Sequence, residues 1–168
     1  NIEGMFCYSK CNVDISRWDT SNVISMRDMF DKSDFDGDLT NWNVSKVGTF
    51  TGMFWNSKFT GNNSDLSKWT IHAFETAYMF GRCPFHGDIS NWDVTDVANM
   101  MNMFEGNKKF NGDLSRWTPY NVYEFTEMFK DSNFRGNISR WQTRCTTNTQ
   151  DMFKNCTIPE KNKPNCAK

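Results

Sequence analysis

Large apolar side chains recur along the chain at nearly constant intervals. The dipeptide Met-Phe appears seven times, and the steps between successive copies are 24, 24, 26, 24, 25 and 24 residues. Tryptophan recurs with the same rhythm, and only Trp55 lies outside it. The Met-Phe pairs begin at Met5, Met29, Met53, Met79, Met103, Met128 and Met152, and the regular tryptophans are Trp18, Trp42, Trp69, Trp92, Trp117 and Trp141. A fixed period of this length indicates a repeat protein, so these tryptophans are predicted to form part of a core shared between units.

Two segments alternate within each unit. The stretch Asp-Ile/Leu-Ser-x-Trp predicts a short strand, preceded by a glycine for a turn with positive φ (Gly37, Gly61, Gly87, Gly112 and Gly136). The next stretch places apolar residues at relative positions 0, 3, 6 and 7, as in Val97, Met100, Met103 and Phe104. This spacing predicts one face of a short helix. N-caps are then expected two residues before the valine, at Ser21, Ser45 and Thr95.

The predicted fold class follows from these elements. It is an α/β repeat, a short leucine-rich-repeat-like solenoid of about seven strand-turn-helix units of about 24 residues each. Residues 1–158 are expected to form one repeat domain. In the last copy Ile158 takes the place of the phenylalanine that opens a unit, and a Lys/Asn-rich segment follows it. Residues 159–168 are therefore expected to form a C-terminal cap.

The repeat also resembles that of a known family. The unit Gly-Asp-Ile-Ser-Asn-Trp-Asp-Val-Thr-Asp-Val-Ala-Asn-Met-Met-Asn-Met-Phe, residues 87–104, is similar to the repeat of BspA-type leucine-rich-repeat surface proteins of the bacterial-lipoprotein type. The likeness extends from Met5 to about Ile158. It implies a secreted or surface-anchored protein that takes part in adhesion or protein contacts, and it supplies no catalytic residues. The chain departs from the pattern in its cysteine-bearing ends, in an insertion at residues 62–64 and in a shortened unit at residues 72–78.

Composition narrows the classes of function. The chain has 168 residues and a formal net charge of -1, with 19 basic and 20 acidic residues. Nucleic-acid binding normally requires a basic excess, so a nucleic-acid partner is not expected. No apolar run is long enough to predict a membrane-spanning helix. The chain begins at Asn1 without a signal peptide, which predicts that a preceding segment was removed or that the sequence is a fragment.

Acidic residues recur just before the predicted strand. They are Asp14, Asp38, Asp65, Asp88 and Asp113, and Asn137 ends the series. Carboxylates stacked in this way repel one another unless they are compensated, and calcium bound along the column is one interpretation. The favoured alternative is that each Asp accepts backbone N–H groups at a turn, as Asp commonly does. No metal or other cofactor is expected.

Hydroxyl residues form a second column, and glycosylation motifs overlap it. The column comprises Ser16, Thr40, Ser67, Ser90, Ser115 and Ser139. It could match a flat ligand such as a carbohydrate, or simply hydrogen-bond within the repeats. No serine of the column has a histidine in a matching position, so catalysis by a serine nucleophile is not expected. Asn-x-Ser/Thr sequons mark candidate glycosylation sites at Asn43, Asn62, Asn137 and Asn155.

Six cysteines favour an oxidising compartment. Five of them lie near the ends of the chain and are candidates for disulfides: Cys7, Cys11, Cys145, Cys156 and Cys166. Cys7 and Cys11 are close enough in sequence to pair. Cys166 is expected to pair with Cys145 or with Cys156. Cys83 has no evident partner, and it is expected to be free or to pair with another molecule.

These observations predict an extracellular or cell-surface protein that is not an enzyme. An active site needs one place that differs from its copies, whereas here the potentially reactive groups repeat. The leading hypothesis is a module that presents a surface for a protein or glycan ligand. The alternative is a structural subunit that assembles head-to-tail into a filament or scaffold.

Overall fold

Regular secondary structure is almost absent from the part of the chain that can be described. The structure is a computed structural model, and it describes residues 1–144 and 146–165. The helices in these ranges are two short 3₁₀ helices, Leu66–Lys68 and Glu160–Asn162. Single parallel β-bridges join one repeat to the next: Ser25 to Thr49, Thr49 to Glu75, Glu75 to Asn99, Asn99 to Glu124 and Glu124 to Asn148. The predicted α/β leucine-rich-repeat-like solenoid of strand-turn-helix units is therefore wrong.

The segments predicted as helices are instead series of overlapping turns, and we call each series a turn string. In the second repeat, the N–H of Met29 donates to the carbonyl of Met26, that of Asp31 to Asp28, and that of Ser33 to Phe30. Each of these bonds spans three residues, but only every second N–H takes part. A helix needs a bond from each successive residue. The spacing 0, 3, 6 and 7 is thus compatible with a turn string as well as with a helix.

The remaining N–H groups join neighbouring repeats. The N–H groups of Met26, Asp28, Phe30 and Lys32 donate to carbonyls of the third repeat at distances of 2.8–3.1 Å. The same alternation recurs from the first repeat to the sixth. In these six strings, half of the N–H groups therefore hold the string's own turns, and half hold the stack together. This division satisfies the backbone without helices or continuous strands.

Two positions in each turn string have left-handed backbone conformations. Asp28 has φ 52° and Lys32 has φ 51°, and the matching residues of other repeats also have positive φ. The first of these positions is occupied in chain order by Gly4, Asp28, Gly52, Tyr78, Asn102, Glu127 and Asp151. Gly, Asn and Asp tolerate this region better than other residues. Their presence at five of these seven positions is a signal for turns that the helical interpretation did not use.

The segment predicted as a strand also consists of turns. The N–H of Trp92 donates to the carbonyl of Ile89 at 3.2 Å, and the matching bond recurs at the other tryptophans. Ser21, Ser45 and Thr95 cap no helix. Their N–H groups instead donate to a side-chain oxygen two residues earlier, on Asp19, Asn43 and Asp93.

Stacked aromatic rings form the centre of the core. One column contains the phenylalanine of each Met-Phe pair, and neighbouring ring centroids lie 5.5–5.8 Å apart. A second column contains Phe35, Phe59, Phe85, Phe110 and Phe134, at 5.8–6.4 Å. The two columns touch within each repeat from the second to the sixth, as between Phe80 and Phe85 at 3.9 Å. The rings of the inner repeats therefore pack above, below and beside other rings, in the offset arrangement that aromatic pairs prefer.

The regular tryptophans form a third column beside the phenylalanines. Trp42, Trp69, Trp92, Trp117 and Trp141 are at most 5% exposed, whereas Trp18 in the first repeat is 39% exposed. Each buried indole donates its Nε1–H to a carbonyl of the preceding repeat, as Trp92 does to Leu66 at 2.8 Å. The indoles thus join adjacent repeats through a polar bond as well as through apolar packing.

The glycines before the tryptophan segment have a different role from the predicted one. Of Gly37, Gly61, Gly87, Gly112 and Gly136, only Gly61 has a positive φ, at 81°. At Gly87 an added Cβ would lie 2.8 Å from Cε2 of Phe85. Glycine is needed there because the ring of the preceding phenylalanine occupies the space of a side chain.

The segment after Ile158 packs on the last complete repeat. The N–H of Ile138 donates to the carbonyl of Asn162 at 3.0 Å, and the side-chain amide of Asn162 donates to the carbonyl of Arg135 at 2.9 Å. Ile158 itself is 7% exposed. Residues 159–165 therefore contact the core-forming repeats in the structure.

Candidate functional site: an exposed aromatic row

One row of residues is held in line by a ladder of backbone hydrogen bonds. Each member precedes a β-bridge residue, and we call this set the aromatic row: Ile24, Gly48, Phe74, Ala98 and Tyr123. The N–H of each member after Ile24 donates to the carbonyl of the member before it, at 2.9 Å in all four cases. Hydrogen-bonded neighbours of this kind stand about 4.8 Å apart. Phe74 and Tyr123 are therefore separated by about 10 Å, two such steps.

Large and small side chains alternate along this row. Ile24, Phe74 and Tyr123 are 63%, 56% and 51% exposed, whereas Ala98 is 5% exposed. A notch of about 500 Å³ lies over Ala98, and we call it the Ala98 notch. It is lined by His72, Phe74, Asp96, Ala98, Asn121 and Tyr123. Since contiguous exposed apolar groups can mark interaction sites, Phe74 and Tyr123 on either side of Ala98 make the notch a candidate binding surface.

Polar groups complete the lining of the Ala98 notch. His72 Nδ1 lies 3.8 Å from Asp96 Oδ2, and both side chains are more than half exposed. The amide of Asn121 is held in place, since it accepts a hydrogen bond from Arg144 at 2.7 Å and donates one to the carbonyl of Thr95 at 2.8 Å. Arg144 also lies 5.2 Å from the ring centroid of Tyr120. The notch thus combines aromatic walls with a carboxylate, an imidazole and an oriented amide.

The acidic column serves the backbone. Oδ1 of Asp14, Asp38, Asp65, Asp88, Asp113 and Asn137 accepts the N–H of the residue two positions later, at 2.8–3.2 Å. Hydrogen bonds from Ser16, Ser67 and Ser115 lower the pKa of the carboxyls of Asp14, Asp65 and Asp113. Within residues 1–144 and 146–165, no group of three or more His, Cys, Asp or Glu residues is placed to hold a metal ion. The turn interpretation therefore accounts for this column.

The hydroxyl column takes part in the same turns. The hydroxyls of Ser16, Ser67 and Ser139 donate to the acidic or amide side chain two residues earlier, at 2.5–2.8 Å. The sequon residues Asn43, Asn62, Asn137 and Asn155 are all exposed. Asn43 and Asn137 each accept hydrogen bonds from the serine of their own sequon. Glycosylation at these four residues stays a prediction.

The cysteines that the structure describes are not paired. Cys7, Cys11, Cys83 and Cys156 are free thiols, so the predicted pairing of Cys7 with Cys11 is not present. Cys145 and Cys166, the other candidates, lie outside the described residues. Cys83 is 1% exposed and donates to the carbonyl of Phe80 at 3.3 Å. Burial raises the pKa of its thiol to about 12, which makes it unreactive.

Sequence reasoning missed the aromatic row. Phe74 and Tyr123 stand outside the repeat consensus, and the helical interpretation gave no reason to place them on one surface. The signal was a solvent-facing position that holds a large apolar residue in alternate repeats: Ile24, Phe74 and Tyr123. These residues fall into one row only when the hydrogen-bond register between neighbouring turn strings is known.

The fold and the row together define a class: a repeat protein of stacked turn strings in which one row carries two exposed aromatic side chains, Phe74 and Tyr123. The chain belongs to the family described as "Mycoplasma protein of unknown function, DUF285", whose model matches residues 1–84 and 62–165. This family is found in BspA-like surface proteins. Comparisons with curated proteins and with solved structures find no match. Among the described residues, no helix has the length and apolar character needed to cross a membrane.

Proposed function

We propose that the protein is a non-enzymatic, extracellular or cell-surface binding module whose aromatic row contacts a glycan or protein ligand. The observation that carries this proposal is the Ala98 notch, in which two exposed aromatic side chains from alternate repeats flank a small residue. Membership in a family found in BspA-like surface proteins supports the location.

The lining of the notch favours a glycan over a protein. A sugar ring presents apolar C–H faces and polar hydroxyl edges, so it needs both ring surfaces and hydrogen-bonding groups. Phe74 and Tyr123 supply the rings, and Asp96 supplies a carboxylate whose only described partner is His72, at 3.8 Å. A protein ligand with an interface of ordinary size would instead need about 800 Å² of contact area on each partner, with an apolar centre. The Ala98 notch is a local depression, and three of its six lining residues are polar.

A glycan array probed with the purified protein tests the proposal. Phe74→Ala and Tyr123→Ala each remove one wall of the notch and should weaken binding by about tenfold, equivalent to about 1.4 kcal/mol. Ala98→Leu keeps both walls but fills the floor, and it should also weaken binding. Ile24→Ala is the matched control, because Ile24 is in the same row but does not line the notch.

The outcomes are distinct. If wild-type protein binds no glycan but captures a protein in a manner sensitive to Phe74→Ala, the ligand is a protein and the row remains the site. If Ile24→Ala weakens binding as much as Phe74→Ala does, the notch is not the site. No observation in the described residues bears on head-to-tail assembly, which stays a prediction that sedimentation of the purified chain would test.

A further inference from the structure

A second cavity shares no lining residue with the Ala98 notch and surrounds the one tryptophan that is outside the repeat register. It has a volume of about 230 Å³, and we call it the Trp55 cavity. Its lining residues are Asp28, Asp31, Thr51, Gly52, Trp55 and Tyr78. Clefts that hold drug-sized ligands are usually 300–1,000 Å³. The Trp55 cavity therefore suits a single small chemical group.

Two glycines make room for the walls of this cavity. A Cβ added at Gly52 would lie 2.1 Å from Oδ1 of Asp28, and one added at Gly81 would lie 2.2 Å from Cζ3 of Trp55. The Asp28 carboxylate and the Trp55 ring thus lie directly against backbone. A side chain at the position of Gly52 would clash with the Asp28 carboxylate, and one at the position of Gly81 would clash with the Trp55 ring. The cavity is therefore specific to the second, third and fourth repeats.

The acidic wall contains a carboxylate oxygen without a hydrogen bond. Asp31 is 9% exposed, and its Oδ2 lies 3.5 Å from Cys7 Sγ and 3.5 Å from Lys32 Nζ. Its Oδ1 is buried and has no hydrogen-bond partner among the described residues. Burial, together with the charge of Asp31, raises the pKa of the Asp28 carboxyl. Lys32 thus compensates one oxygen of Asp31, but Oδ1 keeps no hydrogen-bond partner among the described residues, and a buried polar atom without a partner is costly.

The other wall is aromatic. The ring centroids of Trp55 and Tyr78 lie 5.1 Å apart, and the two planes are perpendicular at 88°. The guanidinium of Arg82 already lies 5.1 Å from the Trp55 centroid, but Arg82 does not line the cavity and is paired with Glu105 at 2.9 Å. Rings beside carboxylates form the environment that attracts organic cations.

We propose that the Trp55 cavity binds a trimethylammonium group, as found on choline. A metal ion suits it less well, because Trp55 offers no ligand atom, the Tyr78 hydroxyl donates to the sulfur of Met101 at 3.3 Å, and the described residues hold no group of three or more His, Cys, Asp or Glu residues placed for a metal. The methyl groups of the cation would contact Trp55 and Tyr78, and its charge would face Asp28 and Asp31. This inference does not depend on the aromatic row, which lies at other positions of the repeat.

Titration of the purified protein with choline chloride, followed by calorimetry, tests the proposal. Sodium chloride at equal ionic strength separates specific binding from screening. Trp55→Leu and Asp31→Asn should each weaken choline binding by about tenfold. Trp18→Leu and Asp34→Asn are the matched controls, because each removes the same kind of group outside the cavity and should leave the affinity unchanged. Circular dichroism and the melting temperature establish that all four variants are folded.

Vesicles distinguish the two sources of the group. Binding to phosphatidylcholine vesicles but not to phosphatidylglycerol vesicles, lost in Trp55→Leu, would assign a lipid headgroup. Binding of free choline without vesicle binding would assign a soluble ligand. The proposal is overturned if wild-type protein binds choline no better than sodium, or if folded Trp55→Leu and Asp31→Asn bind choline as well as the controls do.

Discussion

Gly87 provides a direct test of how the aromatic columns constrain the backbone. A Cβ at this position would lie 2.8 Å from Cε2 and 3.1 Å from Cζ of Phe85. Optimal contacts between carbon atoms are 3.5–4.0 Å, so the ring would have to move by most of an ångström. Phe85 is fully buried and has ring neighbours at 3.9 Å (Phe80), 6.0 Å (Phe59) and 5.8 Å (Phe110). The displacement therefore cannot be absorbed locally.

The expected magnitude follows from the cost of overpacking a dense core. Gly87→Ala should lower the free energy of unfolding by about 1–3 kcal/mol. For a domain of this size, 1 kcal/mol corresponds to about 2–4 °C, so the melting temperature should fall by about 2–12 °C. Thermal unfolding followed by near-ultraviolet circular dichroism measures this, since the signal reports the packing of the aromatic rings.

Gly48 is the matched control for this substitution. It also has no positive φ, but the nearest atom to an added Cβ is the carbonyl oxygen of Ile24 at 3.8 Å, an ordinary contact. Gly48→Ala should therefore leave stability unchanged or raise it by about 0.4–1 kcal/mol through the unfolded state. If Gly87→Ala melts no lower than the wild type, or if both variants lose the same stability, the ring contact is not what requires glycine.

Three further predictions concern the polar part of the repeat. Trp92→Phe removes the Nε1–H that donates to the buried carbonyl of Leu66 at 2.8 Å, and it should lower the free energy of unfolding by about 1–3 kcal/mol in urea titrations; an unchanged midpoint would contradict this role. The lowered pKa of the carboxyls of Asp14, Asp65 and Asp113 means that their stabilising effect is present above the unfolded pKa of about 3.9 and is lost as pH falls through the folded values. The melting temperature should hence decline below about pH 4, and Asp113→Asn, which copies the natural Asn137, should decline less. Asp151 has φ 52° and is exposed, so Asp151→Gly should raise stability and Asp151→Val should reduce it by about 1–2 kcal/mol; the reverse order would show that the left-handed turn is not formed.

The columns of the core could be predicted from the sequence, but the backbone that carries them could not. The intervals between Met-Phe pairs and between tryptophans identify which residues stack, because equal spacing places equal side chains in one line. The local conformation is ambiguous, since apolar residues at 0, 3, 6 and 7 suit both a helix and a turn string. Gly4, Asp28, Gly52, Asn102 and Asp151 occupy a left-handed position, and their composition was the available signal for turns.

The candidate sites were harder to predict for a physical reason. The aromatic row depends on which residue of each turn string faces solvent, and that depends on the alternation of N–H partners within and between repeats. Phe74 and Tyr123 look like additional core residues until this register is known. Trp55 stood out in the sequence because it breaks the tryptophan rhythm, but its acidic neighbours, Asp28 and Asp31, belong to the preceding repeat. Only the stacking brings them together.

The two candidate sites share a property that follows from the architecture. A stacked ring column requires the same residue at every level, so the phenylalanine of each Met-Phe pair is invariant along the chain and cannot give any level its own chemistry. The position directly after that pair is free to differ, and it holds in chain order Cys7, Asp31, Trp55, Gly81, Glu105, Lys130 and Lys154. The aromatic row differs in the same way from repeat to repeat. Specific binding requires an arrangement found once, and a stack with a uniform core can provide it only where such variable positions from neighbouring repeats meet. Both the Ala98 notch and the Trp55 cavity are formed at such positions, which is why substitutions there are expected to change binding while the core remains folded.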